Sequence, residues 1–528
     1  MSCNYMSRKF LCVVALIASA TVAAGAASAQ TPATQIGIDS GQIAGKFTLN
    51  TAVRAFLGIP FAAAPTGELR WKPPQTVTPW QDVRPATSYG AQCMQPSRSK
   101  TSVYYEYAGD QPTSEDCLFL NVWAPSETRG GRLPVMVWIY GGGFQQGSAA
   151  NPVFDGSRLA QRGVVVVSLN YRVGLFGFLA HPELTAESPQ HTSGNYGLLD
   201  QVAGLQWVKR NIGAFGGDPD NVTIFGQSAG AASVDYLYGS PLARGLFARG
   251  IAESFGLGKT MPTLAAAEKN GLAVGDKVNA KTLAELRKVS AQALLDTKMA
   301  ANPIVDGWFL TDSIYNIFTN GREAPVPLLT GWNTHEGSTF PHASTLSAYQ
   351  SWLKAKYAGD AERILALYPA TDDEQAKAAS KNVVRDGLFA WGVWSSARLH
   401  AKNGHPTYLY HFTHPQPIAA GQRFDEIDSA DGLGTFHSSE YPYIFGTLDG
   451  LSRAWTAADR ALSEQLQATW TAYAYGGSPN APQLPRWPAF QETADSTMWI
   501  GDRSGPGPVP DLDRLRMFDS LQSPFNGF

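Results

Sequence analysis

The sequence predicts an α/β protein: a doubly wound, mostly parallel central sheet with helices on both faces. Three observations carry this prediction. Residues 133–140 (LPVMVWIY) and 164–169 (VVVVSL) are short apolar runs without polar alternation, the pattern of strands covered on both sides. A third such run spans residues 222–225, and between the last two Val202, Leu205, Val208 and Ile212 recur at helical spacing behind Asp200, a candidate N-cap. Strand–helix–strand alternation of this kind builds parallel sheets wound in both directions.

Taken in order, the chain starts with Arg8 and Lys9, an apolar and small-residue stretch over 10–27, and Ala27-Ser28-Ala29. A basic start, an apolar core and an A-x-A site form a secretory signal pattern, so residues 1–29 are expected to be cleaved and Gln30 to begin the mature chain. A retained membrane anchor is the alternative; Gly25 and the alanine-rich end favour cleavage. Residues 30–528 then read as one catalytic domain, with no internal repeat, low-complexity tract or long linker. Losing Arg8 and Lys9 from 41 basic residues, against 44 acidic ones, moves the net charge from −3 to −5. No basic footprint for duplex DNA or RNA is present. No later segment reaches the length of apolar sequence that spans a bilayer, and residues 518–528 carry no anchor or retention signal. Two cysteines remain after cleavage, Cys93 and Cys117. An even pair in an exported chain reads as one disulfide, worth about 3 kcal/mol in the loop-entropy account; two free buried thiols would suit a reducing compartment.

Further along, Gly216-Gly217-Asp218-Pro219 breaks the chain before the strand at 222–225. Residues 229–234 start a small-residue helix, 264–299 is Ala/Leu/Lys-rich and helical, and 326–330 and 408–412 read as later strands. Residues 382–401 form another helix, with Val384, Leu388, Trp391 and Trp394 on one side.

Gly226-Gln227-Ser228-Ala229-Gly230 fits G-x-S-x-G. Such a pentapeptide recurs by chance in a chain with 52 glycines; its setting gives it weight. A strand runs into it and a helix leaves it, so Ser228 sits on a sharp turn with its hydroxyl exposed, and glycine is needed on either side where strand and helix nearly touch. A serine hydroxyl needs a base, and the base an orienting acid, in the chain order serine, acid, histidine. The acid candidate is Glu336, just beyond the strand at 326–330 and so at the same sheet edge as Ser228; the plain alternative is a surface-turn glutamate. His335-Glu336 also suggests zinc, but H-E-x-x-H would need histidine where the chain has Thr339. Six of the nine histidines follow Glu336. His437 is taken as base, and His342, His400, His405, His411 and His414 as surface or strand-edge residues. Gly141-Gly142-Gly143-Phe144, directly after a strand, lets backbone N–H groups approach an oxyanion, and Ala229 adds one more donor. A nucleotide loop is excluded there, because G-x-G-x-x-G would need glycine at Gln146, and near Gly256–Thr260 a P-loop would need glycine at Glu253.

These blocks together resemble the type-B carboxylesterase family of the α/β-hydrolases, which includes the cholinesterases and p-nitrobenzyl esterases. The resemblance rests on FLGIPFA (56–62) with GELRW (67–71), SEDCLFLNV (114–122), GGGF, NYGLLDQ (195–201), FGGDP, the serine turn, Val305-Asp306-Gly307, the Glu336 block, and the His437 block with Tyr443-Ile444-Phe445-Gly446. It covers nearly the whole mature chain. It implies an α/β-hydrolase fold, Ser228 as nucleophile, Glu336 as acid, His437 as base, and an oxyanion hole at the N–H groups of Gly142, Gly143 and Ala229. It implies a Cys93–Cys117 disulfide, and a contact of Ser254 with the triad acid.

Two departures bear on substrate. Gln227 stands where many relatives have Glu, and the loop between Cys93 and Cys117 has no tryptophan for a choline group, offering Tyr104, Tyr105 and Tyr107 instead. The expected activity is therefore hydrolysis of neutral or anionic carboxylic esters, small to medium or aromatic, by an exported enzyme, periplasmic or extracellular. Trp332, Phe389 and Trp391 are candidate pocket walls. No metal or organic cofactor is called for, and the partner is a small-molecule ester. A lipase for longer acyl chains would need a large lid, and the segment after Ser254 is short. A catalytically silent adhesion protein on the same fold would lose a triad member.

Overall fold

In the computed structural model the described residues are 34–49, 51–127, 131–427, 429–482, 485–492 and 496–521. The signal-peptide reading at 1–29 lies outside them.

The valine runs form the middle of one large sheet. Its strands are β1 (Lys46–Thr48), β2 (Val53–Pro60), β3 (Phe119–Pro125), β4 (Leu133–Ile139), β5 (Val165–Leu169), β6 (Gly217–Gln227), β7 (Arg249–Glu253), β8 (Leu328–Asn333), β9 (Thr407–Phe412), β10 (Ser496–Ile500) and β11 (Gly505–Pro508). They lie in the order β1-β2-β3-β5-β4-β6-β7-β8-β9-β10-β11. From β5 to β10 neighbours run parallel; the pairs at both ends are antiparallel. Every residue of β5 is buried, which requires cover on both faces. The order reverses between β5 and β4, so the crevice for a ligand opens beyond the carboxyl ends of the central strands.

Among the helices are α1 (Tyr196–Asn211), α2 (Ala229–Gly239), α3 (Leu264–Lys277), α4 (Leu283–Lys288), α5 (Ala291–Asp296), α6 (Asp373–Val384), α7 (Trp391–Lys402) and α8 (Ala457–Gly476). α2 packs on β6 and β7, and α7 on β8 and β9.

Several boundaries differ from the sequence reading, each for a physical reason. Asp200 is no N-cap: α1 begins a turn earlier at Asn195, and Asp200 lies inside it, fully buried and paired with Arg172 at 2.7 Å. Asn195 does not cap by its side chain either; it clamps the backbone of Ile304, accepting its N–H and donating to its carbonyl. The chain break before β6 is one residue, Gly216, at φ 91°, and the strand resumes at Gly217 with a register shift before Val222. The helical stretch 264–299 is three helices, each started by its own hydroxyl cap: Thr263, Thr282 and Ser290. The helix expected at 382–401 starts at Asp373 and passes through a π-helical stretch, Arg385–Ala390, into α7.

Candidate active site

Ser228 directly follows β6 and caps the start of α2, at φ 57° and ψ −125°. A β-carbon on Gly226 would lie 2.6 Å from Gly230 and one on Gly230 2.0 Å from the Ile139 carbonyl oxygen, so both flanking positions accept only glycine. The forbidden ψ is held by the surroundings: the Ser228 N–H donates to Glu253 O (2.8 Å), and its carbonyl accepts from Ala232 (2.9 Å). Ala229 is the first residue of α2, whose N–H has no intrahelical acceptor.

The glycine block follows β4 in the same crevice. Gly142 and Gly143 take φ 119° and 63°, and a β-carbon on Gly142 would stand 2.1 Å from Gln146 O. Gly141–Gly143, Ser228 and His437 all line one cavity of about 610 Å³.

Glu336 opens a single 3₁₀ turn, Glu336–Thr339, after β8 and is fully buried. Its Oε2 accepts from His437 Nδ1 at 2.5 Å, and its Oε1 from the Asn333 N–H at 2.7 Å. A hydrogen on Nδ1 shared with Glu336 leaves the Nε2 lone pair of the neutral ring able to accept a proton. The π-helical stretch places Phe389 against His437 (ring centroids 4.6 Å), and Phe340 packs at 5.3 Å. Gly337 lies under α6, where a β-carbon would meet Lys381 O at 2.1 Å. His335 joins the acid turn to the His437 loop: its N–H donates to Thr435 O, and its Nδ1 accepts the Thr435 N–H at 3.0 Å.

Sequence reasoning missed Glu440, three residues after His437 in the same turn. It is buried, and Asn333 Nδ2 donates to it at 2.5 Å while also donating to Phe436 O. Asn333 thus holds Glu336 by its backbone and Glu440 by its side chain. Burial, then the Glu336 charge, push the Glu440 pKa up. Burial, then Glu440, do the same to Glu253, which accepts from Trp470 Nε1 at 2.7 Å. Both shifts favour the neutral form of the carboxyl. Ser254, at φ 59°, is fully buried, and its hydroxyl has no hydrogen-bond partner among the described residues, neither Glu336 nor Glu440.

Gln227 is fully buried. Its Oε1 accepts from Ser438 Oγ (3.0 Å) and Tyr441 Oη (2.6 Å), and its Nε2 lies 3.3 and 3.4 Å from the two His437 nitrogens. The position therefore reaches a substrate through His437, not as a charge on the pocket wall.

Tyr104, Tyr105 and Tyr107 line the cavity with Arg98, Lys100 and Asp110. Of the expected aromatic walls, Phe389 meets the site through His437. Trp332 and Trp391 are instead buried in a separate core cluster, because β8 and α7 turn those positions inward. Cys93 and Cys117 form a disulfide with Cα atoms 4.9 Å apart. The remaining histidines are less exposed than expected. His400 is fully buried on α7. His411, on an interior strand, is driven down to about pKa 3 by burial, with Arg385 adding to it.

A profile described as the Carboxylesterase family matches residues 32–507. The fumonisin B1 esterase of Sphingopyxis macrogoltabida is 37% identical over 474 residues, covering 86% of this chain and 84% of that protein. The para-nitrobenzyl esterase of Bacillus subtilis (strain 168) is 36% identical over 483 residues, covering 86% and 92%. The solved structure of a PNB esterase superposes with a TM-score of 0.78 at 32% identity, over 92% of this chain and 99% of that one. The sheet described above is accordingly an α/β-hydrolase sheet, and the chain belongs to the carboxylesterase family as a carboxylic ester hydrolase.

Proposed function

We propose that the enzyme is an exported serine esterase working through an acyl-enzyme. Ser228 Oγ attacks the ester carbonyl carbon as His437 Nε2 takes its proton. The N–H groups of Gly142, Gly143 and Ala229 receive the oxyanion, and Glu336 steadies the imidazolium. Collapse expels the alcohol, which takes the proton from His437. A water deprotonated by His437 then attacks the acyl-serine; the carboxylic acid leaves and Ser228 regains its proton. The observation that carries this reading is the Glu336–His437 contact of 2.5 Å, opening on the cavity that Ser228 and the glycine block share. Residues 30–528 act as one catalytic domain after a cleaved leader at 1–29, with Thr34–Phe528 gathered in one unit. Export to the periplasm or medium accords with the Cys93–Cys117 disulfide. Among the described residues no helix is long and apolar enough to cross a membrane.

The preferred substrates are neutral or anionic esters, small to medium or aromatic. Three tyrosines on the cavity wall offer stacking surface, and Arg98 and Lys100 face it against Asp110. Glu106 is matched by Arg453, so its charge is no cation site. The relative named a para-nitrobenzyl esterase points the same way for aromatic alcohols. The test compares kcat/KM for a choline ester, its uncharged carbon isostere and a carboxylate-bearing ester of equal acyl length. The isostere or the anionic ester is expected to lead; a choline ester favoured tenfold would refute the preference.

A further inference from the structure

Away from the catalytic edge, at the amino ends of β8 and β9, three groups converge that no step of ester hydrolysis uses. Glu323 lies in the loop before β8, His400 near the end of α7, and His405 in the turn before β9. Glu323 Oε1 stands 3.1 Å from His400 Nδ1 and 3.9 Å from His405 Nε2, and one ligand atom from each of the three residues lies within 4.8 Å of the other two. The Glu323 and His400 side chains are wholly buried, while His405 keeps 20% exposure.

His400 Nε2 lies 2.8 Å from Val326 O. A carbonyl only accepts, so Nε2 carries the hydrogen, and in the neutral ring Nδ1 presents its lone pair to Glu323. Two acceptors would then face each other at 3.1 Å unless a proton or a cation sits between them. A backbone carbonyl on one ring nitrogen is also the support that metal-bound histidines use to free the other. Asn403 Nδ2 donates to Glu323 Oε1 at 2.9 Å, fixing the carboxylate, while the buried Oε2 has no hydrogen-bond partner among the described residues. Tetrahedral ligands at zinc bond lengths stand about 3.3 Å apart, a value that 3.1 and 3.9 Å bracket. The exposed side of His405 gives water a path to a fourth position. Arg244 is the nearby cation, and its guanidinium donates to Arg322 O.

We propose that Glu323, His400 and His405 bind a divalent transition ion of the zinc class, which pins the entry of β8 to the entry of β9. Two imidazoles with one carboxylate suit Zn²⁺ better than Ca²⁺ or Mg²⁺, which prefer oxygen ligands. The site is structural and separate from the ester chemistry.

The test uses the full, untagged protein, dialysed against a chelator. Zn²⁺ is titrated calorimetrically, and Co²⁺ is followed by its ligand-field absorption. One equivalent is expected to bind, raising the unfolding midpoint by about 2–3 °C at a hundredfold excess over Kd. His405→Ala, at the partly exposed ligand, is expected to fold and to weaken binding by at least about tenfold with ester hydrolysis unchanged. Glu323→Gln is expected to weaken binding in the same way. Absence of stoichiometric uptake would overturn the proposal, leaving a proton shared between His400 and Glu323. So would uptake that survives both substitutions.

Discussion

Two buried glutamate–histidine pairs sit at opposite edges of one sheet. At the carboxyl edge Glu336 meets His437 at 2.5 Å; at the amino edge Glu323 meets His400 at 3.1 Å. Residue types, burial and the ring atom used, Nδ1, are the same. What separates them is the far side of the imidazole. His437 turns its other nitrogen to a cavity it shares with Ser228, whereas His400 spends its own on Val326 O. An acid–histidine pair becomes a base only where the second nitrogen is free to take a proton. The surroundings diverge in the same sense: strained turns at Ser228, Ser254 and Ser438, with φ 57°, 59° and 72°, crowd the first edge.

The comparison is broken most severely by removing the proposed nucleophile or the proposed acid. Ser228→Ala is expected to fold with an unchanged melting temperature and to lose about a hundred-thousandfold or more in kcat. Glu336→Gln is expected to cost about ten-thousandfold, because the neutral amide no longer orients the His437 tautomer. Near-normal turnover in Glu336→Gln would mean that another carboxylate, Glu440 foremost, does the orienting.

At the other edge the same kind of damage should fall on stability. His400→Ala leaves Glu323 buried without its partner, a loss of about 3–5 kcal/mol. Thermal unfolding should register it, while kcat/KM of the folded fraction stays close to wild type. A large fall in kcat/KM with an intact melting point would contradict the division of roles.

Glu440→Gln sharpens the comparison within the catalytic edge. Glutamine can still accept from Asn333, so most activity should survive at neutral pH. The folded carboxyl has its pKa raised above the unfolded value. From the ordinary carboxyl range up to that raised value, the folded state holds a proton that the unfolded state has lost, so this group makes stability fall as pH rises. Removing it should flatten that fall by up to about 1.4 kcal/mol per pH unit, as read by urea unfolding across the window. An unaltered slope would mean Glu440 is already ionised.

The smallest effect is expected at Gln227→Glu. A carboxylate there can keep the Ser438 and Tyr441 bonds and adds negative charge beside His437. It should shift the pH profile of kcat/KM toward higher pH with little change in the ratio of choline ester to neutral isostere. A large change in that ratio would put residue 227 on the pocket wall after all.

The parts of this arrangement that depend on local sequence could be read directly. The serine turn needs glycines two residues either side, and the β-carbon distances at Gly226 and Gly230 show why. The strand cores of β4, β5 and β6 follow from short apolar runs. Glu336 was legible because the β8 apolar run stops just before it. What depends on distant segments meeting was not legible. Asp200 looks like a cap until Arg172 is seen beside it, 28 residues away in sequence. His400 and His405 look like surface residues of a helix end until the Glu323 loop closes over them. The raised pKa of Glu440 comes from burial and from Glu336, neither of which its own neighbours in sequence reveal. The π-helical stretch that sets Phe389 against His437 leaves no periodicity distinct from an α-helix.

The central claim, that Ser228 is the covalent nucleophile oriented through His437 and Glu336, is tested most directly by labelling. The protein is inactivated with one equivalent of an organophosphate ester, digested, and mapped by mass spectrometry. The account predicts that the adduct lies on the peptide containing Gly226-Gln227-Ser228-Ala229-Gly230, at Ser228, with loss of activity in proportion to labelling. An adduct on another serine that abolishes activity while Ser228 stays unmodified would contradict it.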